Sequence, residues 1–343
     1  MAFYSKPNDV TIDFQLSFTL DLLLMSGYPN SLASVRDLHP QQIQKIIENA
    51  FRLKRDRRYL PPSRSAAFSE YNPTMLLAFF EPSTRTRTSF EMAAARLGIR
   101  AVSFAADAST SLKKGESAHE TLANLLAMKP DLLVCRHGGE KRLAATLGSS
   151  KIPWINAGDG KGEHPTQALL DAMTVIEKLG HIEGQKIVYV GDVEHSRVAR
   201  SGRLLFEMLG AEVAVAAPAE WAPTTADWSK AKKFNNLREA SQWCTVCIGL
   251  RIQKERHTSD GTNSKGSVAE PALREFRLDK LNLENLSSEA IIMHPGPFVA
   301  GEDLNEEILD DPRCVIHDQV TNGVYIRAAV ISEMLAHASG EKT

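Results

Sequence analysis

Met75 to Phe80 is an unbroken apolar run that stops at Glu81-Pro82-Ser83-Thr84-Arg85-Thr86, after which Phe90, Ala94 and Leu97 recur at helical spacing until Gly98. A short apolar run without alternation reads as a strand buried on both faces, and the switch of period within a few residues reads as a strand handing over to a helix. Gly98 supplies the C-terminal stop. Such a unit commits the chain to a parallel sheet covered by helices.

Ser83 to Thr86 then occupy the helix start. About four N–H donors lack intrahelical partners there, and the dipole adds roughly half a positive charge, so a dianionic phosphate is held by the backbone itself. Arg85 can grip two phosphate oxygens, and hydrogen bonds to a charged group contribute about 1.5–3 kcal/mol each against about 1 for a neutral pair. The plain alternative is a Ser/Thr cap with a solvated basic first turn, but basic residues are unfavourable in a first turn unless an anion sits nearby.

With 343 residues the chain is too long for one ordinary core and suits two domains, and its 43% apolar and 24% charged residues are ordinary globular usage. Forty basic against 42 acidic residues give a net charge of -2. That balance removes the bulk electrostatic case for nucleic acid or an anionic membrane surface, so partners are expected to be small molecules or proteins. Asp13 and Asp21 interrupt the region of the apolar patch Leu20 to Met25, which has no basic n-region and no spanning length. A cytoplasmic protein is expected, with at most a helix near Phe14–Met25 in a 1–31 extension to which no role is assigned.

Four cysteines, Cys135, Cys244, Cys247 and Cys314, are too few and too scattered for a disulfide framework. Cys244-Thr245-Val246-Cys247 nominally matches a redox or zinc half-site. Cys247 falls in the apolar run Thr245 to Leu250, where residues three apart on a strand face opposite sides, and no second Cys/His pair completes a tetrahedral shell. Structural thiols are expected.

Strands and helices alternate in two blocks, giving an α/β class with two doubly wound parallel-sheet domains and a cleft between them. The first block holds Met75–Phe80, Ala101–Phe104, Leu132–Cys135 and Ile152–Asn156, with helices Thr84–Leu97 and about Ser117–Met128. The second holds Lys186–Val190, Glu212–Ala216, Thr245–Leu250 and Ile291–Met293, with a helix at about Arg197–Leu209. The Gly-rich stretch Asn156 to Gln167 reads as the hinge. A last helix, with Val324, Ala328, Ile331 and Leu335 on one face, comes after the second block's strands and is expected to pack back on the first.

In open parallel sheets ligands bind outside the carboxyl ends of the strands. Here those ends present Ser-Thr-Arg-Thr (83–86), Arg136 and His137, Asp159 and His164-Pro165-Thr166-Gln167, then Gly191-Asp192 with Arg197, Arg251 with Gln253, and His294-Pro295-Gly296-Pro297. Taken singly, Arg136 is equally well a snorkelling surface charge, His164 a helix-start residue, and Arg197 and Arg251 solvated charges. Their joint placement at strand ends points to a cationic cleft. No Gly-x-Gly-x-x-Gly, Gly-x-x-x-x-Gly-Lys-Ser/Thr or His-Glu-x-x-His pattern supports a dinucleotide, a nucleoside triphosphate or a metal, so neither cofactor nor metal is expected.

Phe-Phe-Glu-Pro-Ser-Thr-Arg-Thr-Arg (79–87), Ser-Leu-Lys-Lys-Gly-Glu (111–116), Arg-His (136–137), Ala-Gly-Asp-Gly with His-Pro-Thr-Gln (157–167), Gly-Asp-Val-Glu-His-Ser-Arg-Val-Ala-Arg-Ser (191–201), Leu-Arg-Ile-Gln-Lys-Glu-Arg (250–256) and His-Pro-Gly-Pro (294–297) together resemble the aspartate carbamoyltransferases, within the aspartate/ornithine carbamoyltransferase superfamily. The resemblance runs in order from about Leu32 to the C-terminal helix. It implies transfer of a carbamoyl group from carbamoyl phosphate to L-aspartate, the committed step towards pyrimidines.

By that resemblance Ser83, Thr84, Arg85 and Thr86 form the phosphate grip, Arg136 and His164 sit near the carbonyl oxygen, and Gln167 receives the carbamoyl amide. Arg197, Arg251 and Gln253 form the aspartate clamp, and the backbone of Pro295 and Gly296 orients the nitrogen ends. Ser111 and Lys114 belong to a loop that enters a neighbouring subunit's site, with Lys114 also meeting aspartate, which implies a homotrimer with shared active sites. Whether regulatory or dihydroorotase chains join it stays open. The resemblance divides the chain into a carbamoyl-phosphate-binding domain, 32–165, completed by a C-terminal helix at 320–343, and an aspartate-binding domain, 166–319. Two rivals are a carbamoyltransferase for another amine such as ornithine, which would want carboxylates or a soft Cys loop at the far wall, and a non-catalytic scaffold, which would be expected to have lost Arg85, Arg136 or His164.

Overall fold

The structure is a computed structural model that describes residues 30–56, 72–106, 115–252 and 273–338. Among the described residues the strands form two five-stranded sheets, parallel throughout. The first contains β1 (Ser31–Leu32), β2 (Thr74–Phe79), β3 (Arg100–Ala105), β4 (Leu132–His137) and β5 (Trp154–Asp159) in the order β1-β5-β4-β2-β3. The second contains β6 (Lys186–Val190), β7 (Glu212–Ala216), β8 (Lys232–Phe234), β9 (Val246–Gly249) and β10 (Ile291–Met293) in the order β10-β9-β6-β7-β8.

Central strands are apolar on both faces because helices cover both. Met75 to Phe79 are all buried, and so are Ile187 to Val190. The helices are α1 (Pro40–Arg55), α2 (Thr84–Leu97), α3 (Ala118–Ala127), α4 (Lys141–Ser149), α5 (Pro165–Leu179), α6 (Arg197–Met208), α7 (Leu237–Trp243) and α8 (Ile316–Ala338). Gly98 closes α2 with φ +66° and donates to the carbonyls of Ala94 and Ala95, as a left-handed C-terminal stop must. A reciprocal Ser117–Glu120 capping box opens α3.

The expected last helix begins at Ile316, four residues earlier than the 320 read from the sequence, and it does pack back on the first block, against α1, α2 and α5. Its apolar stripe, Ile326 to Leu335, is buried, and truncating Ile331 to Ala would cost about 2–5 kcal/mol. A polar seam crosses the same packing. Lys54 pairs with Glu177 and donates to Asn322 Oδ1 (2.8 Å), while Asn322 Nδ2 donates to Thr174 Oγ1 (3.0 Å) and Glu177 Oε2 (2.9 Å), so no member is left desolvated without a partner.

The stretch read as a hinge holds the end of β5 and the first turn of α5. That helix is buried from Pro165 to Ile176 because it lies between α8 and α6 and touches both. The cysteine geometry corrects one expectation. Cys244 caps the end of α7 and does not belong to β9, so strand alternation does not apply across the pair, and the two buried thiols hydrogen-bond each other. That bond and burial hold the Cys247 thiol well above its usual pKa, and all four cysteines are free.

Candidate active site

Each sheet has one place where the chain reverses its direction of strand addition. From β2 it goes to β3 on one side and returns to β4 on the other, and from β6 it goes to β7 and returns to β9. Crevices open at the carboxyl ends of strands flanking such switch points. Beyond β2 lie Glu81 to Thr86, and Arg136 is the penultimate residue of β4; beyond β6 and β9 lie Arg197 and Arg251. Both sets line one cavity of about 660 Å³.

The start of α2 forms the first wall. Its N-cap Ser83 has extended backbone and makes no side-chain capping bond, and no acidic residue occupies the first turn. The first-turn donors and the Ser83 hydroxyl are therefore uncommitted to a side-chain cap, which is the arrangement an anion needs. Burial, and then the charge of Arg251, lower the Arg85 pKa from its ordinary value. Two guanidiniums brought together from opposite sheets repel, and an anion between them removes that repulsion. The loop after β10 completes this corner. Gly296 has φ +64°, and a methyl group there would come 3.2 Å from Arg85 Nε.

His164 caps α5 at its start, and its backbone N–H donates to Ser201 Oγ at 2.8 Å. Its buried imidazole Nδ1 has no partner. Burial first, then the charges of Arg197, Arg327 and Arg136, hold its pKa well below 6.5. A neutral imidazole can offer an N–H to a carbonyl oxygen that gains negative charge. Beside it, Arg136 Nη1 donates to the Ala157 carbonyl (3.3 Å), and Arg136 Nε lies 3.5 Å from Glu81 Oε2.

Glu81 also reaches the second wall, accepting from Arg197 Nη1 at 3.2 Å. Arg197 donates to the Gly160 carbonyl (3.3 Å) and lies against Gly158, where a methyl would stand 2.8 Å from the guanidinium carbon. Only a residue without Cβ admits the arginine so close, and φ +115° at Gly158 favours glycine as well. His294 orders the third corner: its Nδ1 accepts from Gly296 N (2.9 Å), which leaves Nε2 to donate to Asp303 Oδ2 (3.1 Å).

Ser83, Thr84, Arg85, Thr86, Arg136 and His164 all line the cavity. Gln167, Arg197, Arg251, Pro295 and Gly296 line it too. Ser111, Lys114 and Gln253 lie outside the described residues. The sequence reading missed the parts played by Glu81, Gln319 and Arg327. Glu81 belongs to the 79–87 segment, and its place just after a strand marks it no more than its neighbours. Arg327 Nη1 donates to Ser89 Oγ (2.8 Å), its guanidinium lies 5.2 Å from the Phe90 ring centre, and burial pulls its pKa down to about 10. It rises from a helix legible only by its apolar stripe, so no local signal marks it. Among the described residues no cluster of three or more His, Cys, Asp and Glu could hold a metal ion, and no helix is long and apolar enough to cross a membrane.

Two doubly wound α/β units that aim a helix start and several guanidiniums into one cleft define an enzyme for small anionic substrates. The family models for the aspartate/ornithine carbamoyltransferase carbamoyl-phosphate-binding domain and Asp/Orn-binding domain match residues 30–177 and 183–334. The chain belongs to the aspartate/ornithine carbamoyltransferase family. It is 40% identical over 306 residues to the aspartate carbamoyltransferase catalytic subunit of Flavobacterium psychrophilum, covering 88% of this chain and 96% of that one. With the Maricaulis maris catalytic subunit it shares 42% over 305 residues, covering 88% and 92%. Among solved structures, the aspartate transcarbamoylase of Trypanosoma cruzi with N-(phosphonacetyl)-L-aspartic acid superposes with a TM-score of 0.76 at 28% identity, covering 88% and 94%. The M. jannaschii catalytic subunit gives 0.77 at 28%, covering 91% and 100%.

Proposed function

We propose that the chain transfers the carbamoyl group of carbamoyl phosphate to the amino group of L-aspartate, giving N-carbamoyl-L-aspartate and phosphate on the route to pyrimidines. One observation carries this reading: an uncapped, basic helix start at Ser83 to Thr86 faces Arg197 and Arg251 across a single cavity. One wall suits a phosphate and the other suits carboxylates. The T. cruzi relative has been solved with carbamoyl phosphate and aspartate together.

In the reaction the aspartate nitrogen attacks the carbamoyl carbon, the C–N bond forms, and the C–O bond to phosphate breaks with its electron pair leaving on phosphate. The departing phosphate is a competent acceptor for the amine's proton. Negative charge builds first on the carbonyl oxygen, where Arg136 and neutral His164 supply donors, and then on phosphate, where Ser83, Thr84, Arg85 and Thr86 do. Gln167 and the Pro295-Gly296 backbone hold the carbamoyl nitrogen, and Arg197, Arg251 and Gln253 hold aspartate. Fixing two substrates in attack geometry supplies roughly 7–11 kcal/mol, which is why the clamp stands on a second unit.

Ornithine is disfavoured because its cationic side chain would face Arg251. Ser111 and Lys114 suit a loop entering a neighbour's site, hence a homotrimer, and four free cysteines suit the cytoplasm. The deciding experiment offers purified protein carbamoyl phosphate with L-aspartate or L-ornithine and no added metal. Product is expected from aspartate alone; equal rates with both amines would overturn the assignment. A sizing measurement on the same sample tests the trimer.

A further inference from the structure

Asp171, on α5, is fully buried, and the mechanism above does not use it. Its Oδ1 accepts two hydrogen bonds, from Gln167 Nε2 at 3.0 Å and from Gln319 Nε2 at 2.8 Å. Its Oδ2 has no partner. A buried carboxylate with one oxygen unpaired costs stability, and an apolar residue of the same volume would cost less. The position is therefore best explained by what Oδ1 does.

A carboxylate only accepts, so both amides must turn their NH₂ groups towards it. Gln167 lines the cavity, and with its nitrogen committed to Asp171 the atom it presents there is its oxygen. Gln319 is fixed from both ends. Its nitrogen is on Asp171, and its Oε1 accepts the backbone N–H of His294 at 2.9 Å. His294 in turn accepts from Gly296 N through Nδ1, so the same carboxylate reaches the Pro295-Gly296 loop through two further links.

We propose that Asp171 is a positioning residue that makes the site select a carbamoyl over an acetyl group, by turning the Gln167 oxygen directly, and the Pro295-Gly296 loop through Gln319 and His294, so that hydrogen-bond acceptors face the substrate's NH₂. The proposal rests on the carbamoyl-transfer reading. An acetyl group carries a methyl where the carbamoyl group carries two N–H donors, and acceptors aimed at a methyl are left unpaired, which is how a polar site rejects an isostere. If the Gln167 amide turned over, its NH₂ would face the substrate's NH₂ and the discrimination would disappear.

Groups facing Asp171 are Arg327 from α8, which draws its pKa down, and Tyr189 from β6, whose own pKa it raises; burial outweighs the amides and Arg327 and brings Asp171 up to about 7. The assay therefore belongs above neutral pH, where the carboxylate form prevails. Selectivity is read as the inhibition constant of acetyl phosphate divided by the KM of carbamoyl phosphate, with inorganic phosphate inhibition as the control for the intact phosphate wall. Asp171→Leu is expected to lower selectivity at least about tenfold, the effect of one lost hydrogen bond, with phosphate inhibition unchanged within about twofold. Asp171→Asn, whose oxygen can accept both amides, should keep selectivity within about threefold of the parent.

Should Asp171→Leu fail to fold, Asp171→Ser, too short to reach either amide, carries the same expectation. Unmoved selectivity in a folded Leu or Ser variant, phosphate binding weakened in step with carbamoyl phosphate, or equal loss in Asp171→Asn would each overturn the proposal alone. A parent protein that transfers nothing from carbamoyl phosphate would overturn the reading beneath it.

Discussion

The Glu81 carboxylate accepts a hydrogen bond from Arg197 at 3.2 Å, joining the segment after β2 of the first sheet to the first turn of α6 on the second. One carboxylate thereby helps to fix a guanidinium that lines the cavity and that the Gly160 carbonyl also holds. The Glu81 side chain is 29% exposed but that of Arg197 only 7%, so Glu81→Ala, which leaves a buried donor without its acceptor, should lower stability by about 1–3 kcal/mol. Function should suffer as well, with a fall of about tenfold in kcat/KM for aspartate as Arg197 loses its orientation. Steady-state kinetics check this, and an unchanged value would show that Arg197 is aligned without Glu81.

Gly158 makes a sharper test of the same guanidinium. Alanine there puts a methyl 2.8 Å from the Arg197 guanidinium carbon and forces φ +115° on a residue with a Cβ, a strain of about 1–3 kcal/mol. Gly158→Ala should raise the KM for aspartate at least about tenfold and leave inhibition by inorganic phosphate nearly unchanged, since the phosphate wall belongs to α2. Equal weakening of both ligands would mean that the two walls are not separate.

In the proposed reaction, Arg136→Ala and His164→Ala would each remove a donor to the carbonyl oxygen. A loss of about 10²–10³ in kcat, roughly 3–4 kcal/mol, is expected of each. Melting followed by circular dichroism should move far less for Arg136, which is partly exposed, than catalysis does. A variant that binds and turns over normally would remove that residue from the site.

Two parallel sheets, four strands of each, and the uncapped helix start at Ser83 were legible because each central strand is a continuous apolar run and each is followed by its own polar cluster. β1 and β8 were not, since two or three residues carry no period. α1 is legible after the fact, with Ile43, Ile46, Ile47 and Ala50 buried at helical spacing. The cysteine pair was misplaced because strand alternation was extended past the end of the strand. Asp171, Gln319 and Arg327 were invisible for a different reason. Their importance lies in partners more than a hundred residues away, as for Gln319 with Asp171 and Arg327 with Ser89, and a single sequence does not encode which distant side chains meet.

The His164 environment fixes a pH dependence. Its folded-state pKa lies well below 6.5, chiefly through burial, so the folded protein resists the proton that the unfolded chain accepts. The unfolded state then binds more protons as pH falls below 6.5, and this contribution to stability is fully present above that value and lost on acidification. Unfolding of the parent and of His164→Asn, compared across the same pH series, should show the parent losing more stability below 6.5. Parallel curves would mean that His164 charges freely in the fold.

Above all, the proposed reaction requires that phosphate lie at the start of α2 and carboxylates lie across the cleft. Crystals of the protein grown with N-(phosphonacetyl)-L-aspartic acid, paired with calorimetric titration of the parent and Arg85→Ala, test this directly. The phosphonate is predicted beside Ser83 to Thr86 with its carboxylates on Arg197 and Arg251, and binding is predicted to collapse in Arg85→Ala. A ligand bound the other way round, or bound equally well without Arg85, would contradict it.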